Sequence, residues 1–361
     1  MKIAPLLLTA GFFFLAGTLG AQSEDEDLDV MPFVLGKNYL HVGLHYAAGP
    51  RVAFGQLGSV PSGALLGDAT GSMARSYNDG SVGLDTRADI SGNPISDGLT
   101  NTWNYSFASQ VTAGGDVAFH SYSTTSTGAA IRADGAGASG WDISLGRKML
   151  SLGRRAEIGL TAGLSFTDIN AKTHGTVSSR MEMVSDVYSL NGQAPPAAPY
   201  SAPSFDSQLN DTTVLLPVEP MSRTVSTGTA DVDGFWQLKG AYYTFYLGPT
   251  LRVPIGERLR ISLGAGAAVA FVGTNYRAQE SIVLAEVDSP VTATAESAQS
   301  TWLPSYYANA NAEFLLTPRT GLFLGATYQG KMDYSQTLVG RTATVGFDNN
   351  VGVQSGFSVR F

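Results

Sequence analysis

Cysteine is absent from the 361 residues, which removes any disulfide framework and any thiolate metal site. Charged residues make up only 14% of the chain, yet beyond the N-terminus no apolar run reaches the length of a membrane-spanning helix. The charge that is present balances on the acidic side, at a formal −8, and argues against a nucleic-acid partner. Histidine is scarce as well, with only His41, His45, His120 and His174 in the chain. None stands in a serine- or aspartate-bearing catalytic motif, so the chain is read as non-enzymatic. No cofactor fingerprint is present either. Gly264-Ala265-Gly266 lies inside a strand-like run, where packing explains small residues better than a phosphate does.

Glycine is abundant, at 42 residues, and Thr, Ser, Tyr and Val are frequent, a composition that favours strands. The N-terminus carries Lys2, an apolar run over residues 3–16 and small residues up to Ala21. That is the build of an export signal peptide, residues 1–21, cleaved before Gln22. Residues 22–36 follow as an acidic leader, with Glu24, Asp25, Glu26, Asp27 and Asp29 solvated.

From Asn38 onward apolar and polar residues alternate, and a strand puts successive side chains on opposite faces. In the longest run Ala156, Ile158, Leu160, Ala162, Leu164 and Phe166 oppose Glu157, Gly159, Thr161, Gly163, Ser165 and Thr167. Such a length suits a tilted membrane strand better than a soluble one, and Ile169 then falls out of phase. The final strand sets Val351, Val353, Phe357, Val359 and Phe361 against Gly352, Gln354, Gly356, Ser358 and Arg360. In that strand, with its terminal aromatic, the chain resembles the small monomeric outer-membrane β-barrel proteins of Gram-negative bacteria. The resemblance implies that Phe357, Val359 and Phe361 form the signal read by the barrel-assembly machinery. It also implies insertion in outer-membrane lipid and residues 37–361 as an antiparallel transmembrane β-barrel.

Eight clean strands start near residues 38, 140, 155, 241, 258, 306, 320 and 351. A hairpin over residues 103–119 would add two, so the range is eight to ten and ten is expected. Short connections at residues 148–154, 254–257 and 317–319 are placed on the periplasmic side. Long ones near 47–139, 170–238, 275–302 and 333–350 are placed outside. The stretch 172–234 is read as partly a hairpin that extends two barrel strands, with its Pro-rich middle, 194–220, a mobile tip. Asp79, Asp85, Asp89 and Asp97 match no calcium-loop spacing and are read as solvated.

Two layers follow from the phase. Tyr46, Trp141, Phe166, Tyr243, Phe271, Tyr306 and Tyr328 fall on the apolar face near the outer ends of their strands, as an interfacial aromatic girdle would. Lys148, Arg155, Glu157, Arg252, Arg258, Arg260, Glu313, Arg319 and Arg360 fall on the polar face near the short turns. His41 and His45 share that face and are read as lumen residues in a hydrogen-bonded network. The charged layer reads as a plug of ion pairs, leaving a structural or surface-binding barrel that works through its loops. The alternative is a narrow passive channel with anion preference. The external ligand or solute stays open.

Overall fold

The computed structural model describes residues 37–47, 50–89, 91–133, 138–152, 156–203, 214–284, 290–347 and 350–361. The expected signal peptide and acidic leader lie outside the described residues. The main strands are β1 (Asn38–Ala47), β2 (Arg51–Gly55), β3 (Val117–Thr125), β4 (Ala130–Ala133), β5 (Ala138–Leu152) and β6 (Ala156–Tyr188). They continue as β7 (Ser222–Ile255), β8 (Leu259–Ile282), β9 (Val291–Leu315) and β10 (Thr320–Gln329). The last three are β11 (Asp333–Leu338), β12 (Arg341–Gly346) and β13 (Asn350–Arg360).

Eight of these strands form a ring of antiparallel ladders in the order β1, β5, β6, β7, β8, β9, β10, β13 and back to β1. Partner by partner, the register runs from Ala47 to Gly352, Thr327, Asn309, Gly264, Thr250, Gly159 and Lys148. Lys148 then bonds back to the Lys37 carbonyl, ten residues below the start. That stagger tilts the strands, and eight strands leave an interior that side chains can fill.

The expected ten strands are not what the ladders show. Trp103–Tyr105 pairs with Gly80–Val82 and Tyr200–Ser201 in a separate small sheet. Among the described residues β3 makes its ladder with the far end of β6. The reason is aromatic burial. Trp103 and Tyr105 are shielded by Tyr200 and by neighbouring side chains, so they form a head beyond the ring and do not face lipid.

Above the ring the architecture continues as a second storey. β6, β7, β8 and β9 run straight on past their barrel sections. Next in sequence to β10, β13, β1 and β5 stand β11, β12, β2 and β4, which pair in that same order. Parts of the regions expected as loops are therefore strands.

The side chains keep their alternation through both storeys while its polarity reverses. On β6 the inward positions are Glu157, Gly159, Thr161, Gly163, Ser165 and Thr167, and then Ile169, Ala171 and Val177. Ile169 thus leaves the face of the outward apolar residues, as expected, while the strand itself continues through it. It marks where the interior changes from polar to apolar. β7 does the same, from Arg252, Thr250 and Thr244 up to Tyr242, Leu238 and Trp236. These residues join Phe54, Tyr276, Val345 and Phe347 in one core. The Phe54 and Tyr276 rings are 5.6 Å apart, and those of Tyr242 and Phe347 5.1 Å.

One ion pair lies inside that core. Arg341 donates to Glu280 at 2.7 Å and to the Ser59 carbonyl. Glu280 also accepts from Trp236 Nε1 at 2.9 Å and from the Gly58 amide at 3.0 Å. A buried charge is tolerable only when paired and hydrogen-bonded, and here one carboxylate ties β7, β8, β12 and the segment after β2 together.

The Pro-rich stretch is not a free tip where it is described. Leu216 is buried, Trp103 Nε1 donates to the Val214 carbonyl at 2.8 Å, and Tyr105 donates to the Pro196 carbonyl. Asp186 anchors the head to β6 and β7. It accepts two bonds of 2.7 Å from the Arg223 fork and one of 2.5 Å from the Tyr77 hydroxyl. Burial, with that bond to Asp186 second, pushes the Tyr77 hydroxyl up from its ordinary pKa.

Replacing Trp236 by alanine removes the largest side chain of the upper core and one partner of Glu280. Equilibrium urea unfolding in detergent should show a loss of about 3–5 kcal/mol. A loss below about 1 kcal/mol would contradict the packed upper storey.

Candidate functional site

The lower storey is inverted relative to a soluble protein. Its outer surface exposes Val42, Leu44, Ile143, Leu145, Leu160, Leu247, Leu263, Leu324, Val353 and Phe357, with Leu44 at 72%. Its interior buries Asp142, Ser144, Thr161, Thr250, Arg252, Asn311, Glu313 and Gln354. A continuous apolar belt of this extent is unstable in water and matches a hydrocarbon layer.

The belt ends upward in rings. Trp141, Phe166, Tyr243 and Phe271 stand directly across from one another on successive strands, and Phe271 stands across from Trp302. Ring centroids are 5.9 Å apart for Trp141 and Phe166, 5.2 Å for Phe166 and Tyr243, and 4.9 Å for Phe271 and Trp302. Tyr306 and Tyr328 continue the band at 6.1 Å, and Tyr46 lies exposed on β1. Trp302 falls in the stretch 275–302 expected as a loop and lies instead on β9. Its neighbour Leu303 is also apolar and packs on the upper core from the other face, so no polar–apolar alternation marks Trp302 in the sequence.

Inside, the small residues act as seats for aromatic rings. Tyr39 is the register partner of Gly146, and a Cβ there would fall within the tyrosine ring. Tyr246 is paired in the same way with Gly163. Tyr246 donates to Asp142 at 2.9–3.0 Å, Tyr39 shares a hydrogen bond with Thr161, and Thr161 with Thr250 at 2.7 Å. His41 stacks on Phe323 at 4.9 Å, and Gln354 donates to Asn311 at 2.6 Å. Between these groups lie a cavity of about 40 Å³ beside His45, Asp142 and Tyr246 and one of about 10 Å³ below it. His45 faces the larger cavity as well as Gly352. His120 and His174 are outside the lumen: His120 bonds Asp79 at 2.6 Å and His174 packs on Phe235.

The nine residues expected to form a charged layer divide into three groups. Lys148 bonds Glu157 at 2.6 Å, Arg360 bonds Glu313 at 2.8 Å, and Arg252 and Arg260 lie beside them. Arg258 and Arg319 sit in exposed turns, because β7 and β9 end before them, and so do not line the lumen. Arg155 lies outside the described residues. Phe357, Val359 and Phe361 all point outward and are exposed, and Phe361 pairs with Asn38 by two backbone bonds of 3.1 Å.

The upper end of the lumen meets the apolar core directly. Gln329 donates to Thr244 at 3.0 Å, and Thr274 shares hydrogen bonds with Tyr334 at 2.6 Å and Gln336 at 2.8 Å. The aspartates weighed for calcium do not converge. Arg87 bridges Asp85 and Asp97, Asp79 is taken by His120, and Asp89 bonds the amides of Ser91 and Asn93. The Arg87 guanidinium holds the Asp97 carboxyl below the usual carboxylate range. Among the described residues no cluster has the make-up of a metal site.

No family model and no curated protein matches the chain. Among solved structures, similar chains are outer-membrane β-barrel proteins. One is Ail, the attachment invasion locus protein of Yersinia pestis, at 8% identity and a TM-score of 0.23, covering 90% of this chain and 99% of that one. Another is a Pseudomonas aeruginosa FadL homologue, at 9% and 0.17, covering 90% of each chain. The P. putida toluene transporter TodX gives 8% and 0.16, again with 90% of each covered. These scores are too low to carry function across. The barrel rests on the ladders and the inverted surface.

Lipid contact predicts a depth dependence. Leu247→Arg, within the belt, should cost about 2–4 kcal/mol in folding into lipid vesicles, and Tyr46→Arg, at its rim, about 0–1 kcal/mol. Equal costs at the two positions would contradict the assigned membrane level.

Proposed function

We propose that the chain is a non-enzymatic outer-membrane β-barrel that does not conduct, and that it holds a folded head at the cell surface for structural or binding work. The observation that carries this reading is the reversal of interior polarity at Thr167 and Ile169 on β6 and between Thr244 and Tyr242 on β7. A solute crossing the ring would leave a lumen filled by Tyr39, Tyr246 and their partners and enter an apolar core. Hydration has no continuous set of polar partners along that route.

The same reading assigns the ring band from Trp141 to Trp302 to the outer interface and the turns at 256–258 and 316–319 to the periplasm. Export through a cleaved signal peptide and a monomeric state belong to it. Phe357, Val359 and Phe361 are then the segment offered to the assembly machinery, since their side chains are free on the outer face. Partners at the surface would meet the head and the exposed outer faces of β6 and β7.

The runner-up is a narrow anion channel, favoured by the guanidinium nitrogens of Arg252 and Arg260 that lack partners. Planar-bilayer recording of the refolded protein under a salt gradient separates the two. Stable insertion without conductance steps is the expected result. Reproducible anion-selective steps would establish the channel instead.

A further inference from the structure

The charges at the periplasmic end of the lumen do not cancel. Glu157 is the register partner of Arg252, and Glu313 that of Arg260. Both carboxylates nevertheless turn to other cations. Glu157 binds Lys148 at 2.6 Å, while Glu313 binds Arg360 at 2.8 Å and accepts from the Ser358 hydroxyl.

Arg252 is left over the face of the Tyr39 ring, 8% exposed. Its Nη2 and the Nη1 of Arg260 are buried without a hydrogen-bond partner. Arg260 lies two positions from Ser262, the register partner of Arg252, so the two arginines are diagonal neighbours roughly 7–8 Å apart. The remaining lumen carboxylate is Asp142, whose two oxygens accept from Tyr246. Even with Asp142 ionised, four cations face three carboxylates among the described residues.

A cavity of about 10 Å³ opens against Arg252, and its wall includes Tyr39, Thr161, Thr250, Ser262, Asn311 and the carboxylate of Asp142. That is room for a single small particle, a water molecule or a monatomic ion. A buried guanidinium with open donors is costly unless a counter-charge meets it.

We propose that this cavity holds a small inorganic anion of chloride size, bound by Arg252 and reached from the periplasmic end. The site is a static structural one and needs no conduction. The Ser262 hydroxyl, the Asn311 amide and the one proton left over in the Tyr39–Thr161–Thr250 hydroxyl chain complete a donor-bearing wall.

The test compares thermal unfolding of the full chain, refolded in detergent, in sodium chloride and in sodium gluconate at equal ionic strength. A ligand that binds only the folded state raises the midpoint with concentration. Chloride should therefore raise it saturably, bromide should replace chloride, and gluconate, too large for the cavity, should not. Arg252→Gln should abolish the difference. Should that variant fail to fold, Asn311→Asp serves, because its carboxylate supplies the counter-charge from the cavity wall and should make the midpoint equal in both salts. Equal midpoints for the unsubstituted protein, or a chloride increment that persists in a folded variant, would overturn the site. Bilayer silence with a chloride increment separates this site from the channel reading.

Discussion

Backbone hydrogen bonding between neighbouring strands is the interaction on which everything else here depends. In a hydrocarbon layer an amide or carbonyl has no water to turn to, so each must be met by the next strand. The eight ladders meet that demand by leaving no edge in the belt. The ten-residue stagger follows from the ring, since closing eight strands requires tilt, and tilt sets how narrow the lumen is. The narrow lumen in turn explains the glycines. Tyr39 and Tyr246 fit across it only because Gly146 and Gly163 stand opposite with no side chain.

The same alternation serves two solvents. Strand geometry fixes which residues face in, and the surroundings decide which of the two faces must be apolar. Below Ile169 the surroundings are apolar and the inward face carries Glu157, Thr161 and Ser165. Above it the surroundings are water and the inward face carries Ala171 and Val177, while Lys172, Arg180 and Glu182 point out. One continuous strand can therefore cross the boundary without a kink or bulge. Only the choice of residue changes.

That reversal sets the limit of what was legible from residues alone. The barrel-spanning portions were readable because each keeps one polarity for a full crossing, as β13 does from Val351 to Phe361. Where polarity reverses, the alternation blurs for a few residues and resembles a loop. Ile169 therefore looked like a phase error, and Trp302, with apolar Leu303 beside it, like a loop residue. The hairpin near Trp103 failed for another reason. Aromatic alternation is the same whether the rings face lipid or a small core, and only the partner Tyr200, distant in sequence, distinguishes them. Arg258 and Arg319 share the parity of lumen residues, but parity means nothing once the strand has ended. The pairing of Arg341 with Glu280 had no local signature, because it joins segments 61 positions apart.

The two storeys also differ in how completely their strands are joined. In the belt every neighbouring pair makes a ladder. In the upper storey β9 and β11 meet through single bonds such as Gln336 Nε2 to the Ser297 carbonyl at 2.6 Å. β4 and β6 are likewise neighbours without a ladder, and Thr127 bonds the Ser178 carbonyl at 3.1 Å nearby. An open edge costs little where water can solvate it and a great deal where lipid surrounds it. The strand break after β10 thus falls where an interrupted ladder is tolerable. The apolar core from Phe54 to Phe347, with its buried ion pair, does above the membrane the joining that backbone hydrogen bonds must do within it.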